Sequence, residues 1–287
     1  MKPWDTVAIV GVGLIGGSIG RDLLAQRLAR RVVGIGHRSS SLRQAKSVGA
    51  VTETTLNLAA GVADADFVVV CTPVGRIVDD VRAVAAAAKP GALVTDVGST
   101  KGSIVAALAA APLDPATFIG SHPLAGSEKS GPAAAVAGLF QDRVVVVTPT
   151  AATPAKPLRT LESFWKRLGA EVVRMDPLEH DRALAATSHV PHVAASALSG
   201  ATPSAYLKLT AGGWLDSTRI AAADGPLWRQ ILDDNRAHVV VALAALESRL
   251  AEFRRAIEAR DERALERLLA DGKRIREAAA RVRKSKR

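Results

Sequence analysis

Cysteine is almost absent from this chain of 287 residues, whose single thiol is that of Cys71. One cysteine leaves no partner for a disulfide within the chain, so the framework of a small secreted protein is excluded and a reducing compartment is the default. Aromatic residues are also scarce, at 3%, and the core therefore has to be built from Ala, Val, Leu and Ile. We expect a cytoplasmic protein in which Cys71 is simply buried.

Long apolar runs are missing as well. None reaches the roughly 20 residues that span a bilayer, so we expect no membrane partner. Residues 7–20 superficially resemble a secretory leader, but their glycines follow a turn pattern and no small-residue cleavage site comes after them. We therefore expect no signal peptide.

Positive charge is unevenly distributed. The formal net charge is +10, and residues 270–287 contribute +6 of it. A basic helical tail is more often a solvated end than a binding element. We expect no nucleic-acid partner, and a mildly positive surface would steer an anionic small substrate toward its site.

Short apolar runs alternate with helical or loop-like segments through the first 175 residues, and this alternation predicts parallel βα units wound into one sheet. The runs lie at 6–10, 32–35, 67–71, 92–96, 118–120, 144–147 and 171–173. From Asp176 onward, Ala, Leu and Arg recur at helical spacing, notably over 227–260 and 262–282. Long amphipathic helices need a partner for their apolar faces, which favours a homodimer.

Gly11, Gly13 and Gly16 form a GxGxxG pattern directly after the first predicted strand and before a helix. The first glycine permits a tight turn, the second lets the backbone approach a pyrophosphate, and the third lets helix and strand pack closely. The helix N-terminus then offers free N–H groups to the phosphates. The pattern predicts a dinucleotide site, with further cofactor contacts from Leu14, Ile15, Thr72, Pro73 and Val74.

These features together predict an α/β fold in two domains. Residues 1–175 form a Rossmann-type, doubly wound and mostly parallel sheet that binds the dinucleotide. Residues 176–287 form an all-helical substrate and dimerisation domain with a basic C-terminal tail.

The choice of cofactor depends on the end of the second strand, where an acidic residue binds the ribose in NAD enzymes. No acidic residue occurs between Asp22 and Glu53. His37, Arg38 and Ser39 stand there instead, and a guanidinium with hydroxyls suits a 2′-phosphate. The sequence favours NADP over NAD. In the alternative, Arg38 stacks on adenine and accepts either cofactor.

Three further clusters carry a family resemblance. They are DVGSTKG at 96–102, GSHPLAGSE at 120–128, and SHVPH at 188–192 combined with STRIA at 217–221 and PLW at 226–228. In this order, and with the glycine pattern, the chain resembles the prephenate and arogenate dehydrogenase family over nearly its whole length. The resemblance implies an NAD(P)-dependent enzyme of tyrosine biosynthesis that converts prephenate to 4-hydroxyphenylpyruvate, or acts on arogenate or on both substrates.

His122 is the candidate catalytic base. Removing hydride from a ring carbinol requires a base for the hydroxyl proton, and histidine has the pKa that suits this task at neutral pH. We expect His122 in a loop at the carboxyl end of a sheet strand, where α/β sheets bind ligands. The resemblance gives His122 the catalytic role, and gives Ser99 the role of bonding the same hydroxyl or holding the imidazole.

The substrate carries carboxylates, and the resemblance makes Arg219 the candidate for a bidentate contact with one of them. It also implies that His189 or His192 faces the active site, in a helix entry that we expect Pro191 to break. The remaining predicted substrate contacts are Ser121, Glu128 and Trp228.

We expect no metal site, because the sequence has no HExxH or paired-Cys spacing.

Two rival interpretations of the function remain. A β-hydroxy-acid dehydrogenase shares the same layout but relies on a lysine, for which Lys208 is the candidate. A non-catalytic NADP-binding or nucleic-acid-binding protein would keep the glycine turn without needing His122 and Arg219. Turnover of prephenate or arogenate distinguishes these possibilities.

Overall fold

The computed structural model describes residues 3–111, 113–127 and 129–284. Its strands are β1 (Trp4–Val10), β2 (Ala29–Ile35), β3 (Glu53–Thr55), β4 (Phe67–Val70), β5 (Leu93–Asp96), β6 (Thr117–Phe118), β7 (Gly120–Pro123), β8 (Val144–Thr148) and β9 (Glu171–Arg174). Its helices are α1 (Leu14–Ala25), α2 (Ser39–Ser47), α3 (Leu58–Val62), α4 (Val74–Ala87), α5 (Gly102–Ala109), α6 (Ala155–Arg167), α7 (Pro177–Leu184), α8 (Val190–Ala201), α9 (Gly212–Thr218), α10 (Gly225–Asp234), α11 (Arg236–Glu258) and α12 (Glu262–Lys284).

The main sheet has six parallel strands in the order β3-β2-β1-β4-β5-β6. Helices cover both faces, so the central strands are buried on both sides and contain mostly Val and Ile. Along β1, Val7 and Ile9 pack into one core cluster while Ala8 and Val10 pack into the other. This arrangement confirms the predicted Rossmann-type sheet followed by helices.

A second, three-stranded sheet corrects the prediction of one continuous sheet. β7 pairs antiparallel with β8, and β8 pairs parallel with β9. The apolar run 118–120 is divided at Ile119, whose carbonyl accepts a hydrogen bond from Thr95 Oγ1 at 2.7 Å. A short apolar run marks a strand but does not specify its pairing partner. As a result His122 lies within β7, and the expectation of a loop position was wrong.

The chain folds into two compact units, Met1–Arg236 and Ala237–Arg287. Helices α7 to α10 therefore belong to the same unit as the sheet. The predicted boundary after residue 175 marks the end of the strands and stays a prediction. The helical segment expected over 227–260 contains two helices, α10 and α11, and Asn235 between them has a φ of −100° and a ψ of 24°.

The second unit contains most of α11, followed by α12. The Arg249 guanidinium forms ion pairs with Glu252 on its own helix and with Asp271 on α12. No described helix is both long and apolar enough to cross a membrane. The last part of the predicted basic tail, residues 285–287, lies outside the described residues.

Candidate active site

The glycine turn has the geometry that a dinucleotide requires. Gly11 has a φ of 91°, and a Cβ there would lie 2.9 Å from the Cys71 carbonyl oxygen. A Cβ on Gly16 would lie 2.4 Å from the carbonyl oxygen of Gly11. At Gly13, by contrast, the described residues place no heavy atom within 4 Å of a Cβ position. Two glycines are needed for packing, and the third leaves the backbone accessible to a phosphate.

The turn lies at the point where strand order reverses, because β1 neighbours β4 in the centre of the sheet. The chain after β4 passes through Thr72 and Pro73 into α4, which begins at Val74. The structure thus brings these residues to the same edge as the glycine turn, with the half-buried Leu14 and Ile15 at the start of α1. This edge is where α/β sheets bind nucleotides.

The residues predicted to select the cofactor lie at the end of β2, the other neighbour of β1. His37, Arg38 and Ser39 are all exposed. Arg38 donates from Nε to His37 Nε2 at 3.0 Å, and Ser39 begins α2. Glu53 forms a bidentate ion pair with Arg31.

The loop that carries Ser99 is anchored by a buried ion pair. Asp96, at the end of β5, accepts hydrogen bonds from the N–H groups of Gly98 at 2.8 Å and Ser121 at 3.1 Å, and its carboxylate also binds Lys101 Nζ. Both charged side chains are fully buried. Buried charges persist only when paired and hydrogen-bonded, as they are here. The pair fixes the Ser99 loop against β7, the strand of His122.

His122 is the first member of a buried hydrogen-bonded chain. Its Nδ1 lies 2.9 Å from His180 Nε2, and His180 Nδ1 lies 2.8 Å from Asp181 Oδ1. The Asp181 carboxylate also accepts the N–H groups of Lys101 and Gly102, each at 2.8 Å, at the start of α5. Burial opposes ionisation of Asp181, but these hydrogen bonds outweigh it and lower its pKa.

The hydrogen-bond roles in this chain follow from its ionised end. The Asp181 carboxylate only accepts, so His180 carries a proton on Nδ1. If His180 is neutral, its Nε2 accepts from His122 Nδ1, and Nε2 of His122 is then the unprotonated nitrogen. Burial, reinforced by His180 and Lys101, lowers the pKa of His122 well below its usual value. His122 is therefore neutral at physiological pH and has a lone pair ready to accept a proton.

His189 and His192 lie in a continuous helical segment, so the expectation that Pro191 breaks it was wrong. A π-helical stretch, Ala185–His189, joins α7 to α8 and adjusts the backbone hydrogen bonding ahead of the proline. The His192 ring stacks on Trp228, with centroids 3.6 Å apart and 5° between planes. Burial lowers the pKa of His192 and takes that of His189 to about 4.

The remaining predicted substrate residues differ in placement. Arg219 is exposed and begins a 3₁₀ turn that packs against α8, the helix of His192. Ser121 is fully buried, and its hydroxyl already contacts Asp96 O, Thr95 Oγ1 and Trp165 Nε1. These contacts argue against a substrate contact for Ser121. Glu128 lies outside the described residues.

Sequence reasoning missed His180, Asp181 and Asn235. Asn235 donates from Nδ2 to the carbonyl of Asp181 at 2.7 Å and to His189 Nδ1 at 3.1 Å. None of the three belongs to a short motif, and Asn235 lies 54 residues from the aspartate that it contacts. Only the neighbouring His and Asp at the start of a helix gave a local signal, and that pair is common.

A doubly wound sheet with an open glycine turn at its switch point, and a buried neutral histidine on a strand tied to the sheet's carboxyl edge, defines the class of nicotinamide-dependent dehydrogenases. Comparison with known proteins narrows the class. The family model described as prephenate dehydrogenase, nucleotide-binding domain, matches residues 19–174, and the dimerization-domain model matches 176–271. The chain belongs to the prephenate dehydrogenase family.

Individual relatives agree with this assignment. A cyclohexadienyl dehydrogenase of Zymomonas mobilis is 34% identical over 91% of each chain. A prephenate dehydrogenase of Bacillus subtilis is 33% identical over 81% of this chain, which spans 64% of that protein's length. The crystal structure of prephenate dehydrogenase from Aquifex aeolicus with hydroxyphenyl propionate and NAD⁺ is 31% identical, with a TM-score of 0.88 over 96% of this chain and 98% of that one.

Proposed function

We propose that this chain oxidises prephenate and decarboxylates it to 4-hydroxyphenylpyruvate, transferring hydride to NAD(P)⁺ in tyrosine biosynthesis. The observation that carries the proposal is the buried His122, whose Nδ1 lies 2.9 Å from His180 Nε2, while His180 in turn bonds the Asp181 carboxylate. Family membership and the resemblance of the 120–128 segment support the choice of substrate.

In this mechanism His122 Nε2 accepts the proton of the ring hydroxyl as the carbinol carbon is oxidised. The glycine turn and the start of α1 would hold the cofactor, which would supply a hydride acceptor when bound. Loss of the ring carboxylate as carbon dioxide returns its electron pair to the ring, and His122 gives the proton back to the phenolic oxygen. Ser99, on its anchored loop, bonds the same oxygen. Aromatisation makes the step effectively irreversible.

Arg219 binds a substrate carboxylate in this proposal. Its exposed guanidinium keeps the fork geometry that suits a bidentate contact. Its 3₁₀ turn packs against α8, which also presents His192 stacked on Trp228. We expect these side chains to contact the substrate, and Glu128 stays a contact predicted from the sequence.

A dual-substrate enzyme that also accepts arogenate is the second candidate. The cyclohexadienyl dehydrogenase relative favours it. Arogenate differs by an ammonium group, which an acidic side chain would bind. Asp224 already caps α10 through a 2.8 Å bond from Leu227 N–H, whereas Asp216 is exposed three residues before Arg219. Asp216 is therefore the residue that would recognise the ammonium group.

NADP is the proposed cofactor. The acidic residues that flank the gap at β2 are both engaged elsewhere, because Asp22 bonds Gly138 N–H and Glu53 pairs with Arg31. Arg38 remains as the charged group at the end of β2. We expect Arg38→Ala to raise the KM for NADP roughly tenfold while changing that for NAD little, since only NADP carries the 2′-phosphate.

A cytoplasmic homodimer is the proposed form of the enzyme. Apolar side chains of the segment 204–222 are exposed, including Leu209 at 72% and Tyr206 at 59%. The dimerization-domain model covers this segment, and a second copy would bury these side chains. The single, free cysteine supports a reducing compartment.

The decisive experiment is a steady-state comparison of prephenate and arogenate with NADP⁺ and NAD⁺, following the absorbance of the reduced cofactor. We expect turnover of prephenate, with the lower cofactor KM for NADP⁺. His122→Asn serves as the inactive control that still binds cofactor. Tight cofactor binding without turnover of either substrate would contradict the proposal and favour the non-catalytic alternative.

A further inference from the structure

Asn235 lies between α10 and α11 and is only 2% exposed. Its side chain reaches two groups far away in sequence, the carbonyl oxygen of Asp181 and Nδ1 of His189. Asp181 in turn supports His180 and, through it, His122. Through Asp181 and His180, Asn235 therefore links His122, the candidate base, with a second buried histidine, His189.

The hydrogen-bond roles at Asn235 follow from its partner on Asp181. A carbonyl oxygen only accepts, so the atom 2.7 Å from it is the amide nitrogen, not the amide oxygen. The same nitrogen lies 3.1 Å from His189 Nδ1. An amide nitrogen has two hydrogens and accepts none, so Nδ1 of His189 is an acceptor. The single proton of the neutral imidazole must then be on Nε2.

The Nε2 atom of His189 is the unexplained part of this arrangement. It is fully buried in a residue only 1% exposed, and it has no hydrogen-bond partner among the residues that the structure describes. A buried donor without a partner costs free energy, and such a group calls for a specific explanation. A ligand that brings an oxygen acceptor to this nitrogen supplies one.

We propose that Asn235 is a positioning residue that holds His189 in its Nε2–H form, so that His189 donates a hydrogen bond to an oxygen of the bound reactants. The inference rests on the proposed function. The acceptor is an oxygen of the substrate or the carboxamide oxygen of the nicotinamide. In this arrangement one buried histidine, His122, accepts a proton, while the other donates a hydrogen bond.

The first test needs no variant at Asn235. In protein labelled with ¹⁵N-histidine, the imidazole shifts report which nitrogen carries the proton, and His189→Gln identifies the signal of His189. We expect unprotonated Nδ1 and protonated Nε2. Addition of NADP⁺, NAD⁺ or 4-hydroxyphenylpyruvate should move the Nε2–H signal, and the ligand that does so identifies the source of the acceptor. A proton on Nδ1, or an Nε2–H signal that no ligand moves, would overturn the inference.

The second test reverses the role of Asn235. Asn235→Asp offers an acceptor where the amide donated, so the proton of His189 should move to Nδ1. We expect kcat/KM to fall roughly 10- to 100-fold, since the donor on Nε2 is lost, with the larger change in the KM of the reactant found by NMR. The control is the same change at the only other asparagine of the sequence, Asn57→Asp, because either side chain caps the exposed start of α3.

The two kinds of failure are separable. If Asn235→Asp kept the proton on Nε2 and kept normal KM values, the inference would be wrong while the dehydrogenase function stood. If the unaltered enzyme turned over neither prephenate nor arogenate, the proposed function would fail. The NMR experiment would still report the proton position on His189 in that case.

Discussion

Two regions of the unit Met1–Arg236 differ sharply in burial and in hydrogen bonding. The acid–base cluster, defined as His122, His180, Asp181, His189 and Asn235, is buried and linked by hydrogen bonds of 2.7 to 3.1 Å. The arginine segment, residues 204–222, consists of short helices, and of its residues, all within the described part of the chain, only Thr218 is buried.

The contrast teaches where preorganisation is needed. A base must have a defined protonation state before the substrate arrives, and burial within one chain provides it. A guanidinium is charged in any environment, so Arg219 needs no such burial. In the proposed enzyme, the substrate binds Arg219 and a second copy of the chain covers the exposed apolar side chains of the arginine segment.

The largest expected effect is at the centre of the cluster. His122→Asn removes the base, and kcat should fall by roughly 10²- to 10⁴-fold. Cofactor affinity, measured by fluorescence titration, should be unchanged because the glycine turn is untouched. Near-normal turnover of His122→Asn would remove the basis of the mechanism.

The second prediction tests whether catalysis by His122 depends on the buried His180 and Asp181. Asp181→Asn keeps the shape but weakens the hold on His180, and we expect kcat to fall roughly 10- to 10³-fold. The control is Asp176→Asn, which alters an exposed side chain that caps α7 by accepting the N–H groups of Leu178 and Glu179. Equal kcat values for the two variants would show that the hydrogen bonds from His122 through His180 to Asp181 do not contribute to catalysis.

A smaller effect is expected in the arginine segment. Arg219→Ala should raise the KM for prephenate roughly 10- to 100-fold and change kcat less, because the lost contact holds the substrate before and during reaction. Arg182→Ala, which removes an exposed arginine paired with Glu179, is the control. A loss confined to kcat would assign Arg219 to the acid–base side instead.

The exposed apolar surface of the same segment gives a further test. Leu209→Glu places a charge on a side chain that is 72% exposed, and it should weaken the proposed dimer roughly tenfold, since a buried interface disfavours an unpaired charge. Sedimentation over a concentration range measures this. An unchanged association constant would exclude Leu209 from the interface.

The smallest effect is a pH dependence that sharpens the account of the base. The lowered pKa of His122 means that it stays neutral at pH 6.5, where an unshifted histidine would be half protonated. Between pH 8 and pH 6, kcat/KM should therefore stay nearly constant, whereas a base with an unshifted pKa would lower it roughly fourfold. An acidic limb centred near 6.5 would indicate an unshifted base.

Sequence reasoning succeeded where local chemistry decides structure. The GxGxxG pattern predicted the glycine turn, and in the structure Gly11 and Gly16 leave no room for a Cβ. The βα alternation was predicted from short apolar runs. It failed at Ile119, where one apolar run is divided between the six-stranded and the three-stranded sheet. It also failed at Pro191, because a π-helical stretch absorbs the proline. Both failures depend on partners elsewhere in the fold.

The fold class and the dinucleotide turn could be predicted from residue types and their spacing along the sequence. The family and the choice of His122 as candidate base came from a resemblance carried by three motifs. The protonation state of His122 could not be predicted in the same way, because it depends on burial and on contacts with residues distant in sequence. The hydrogen bond between His122 and His180 joins residues 58 positions apart, and no local sequence pattern indicates it.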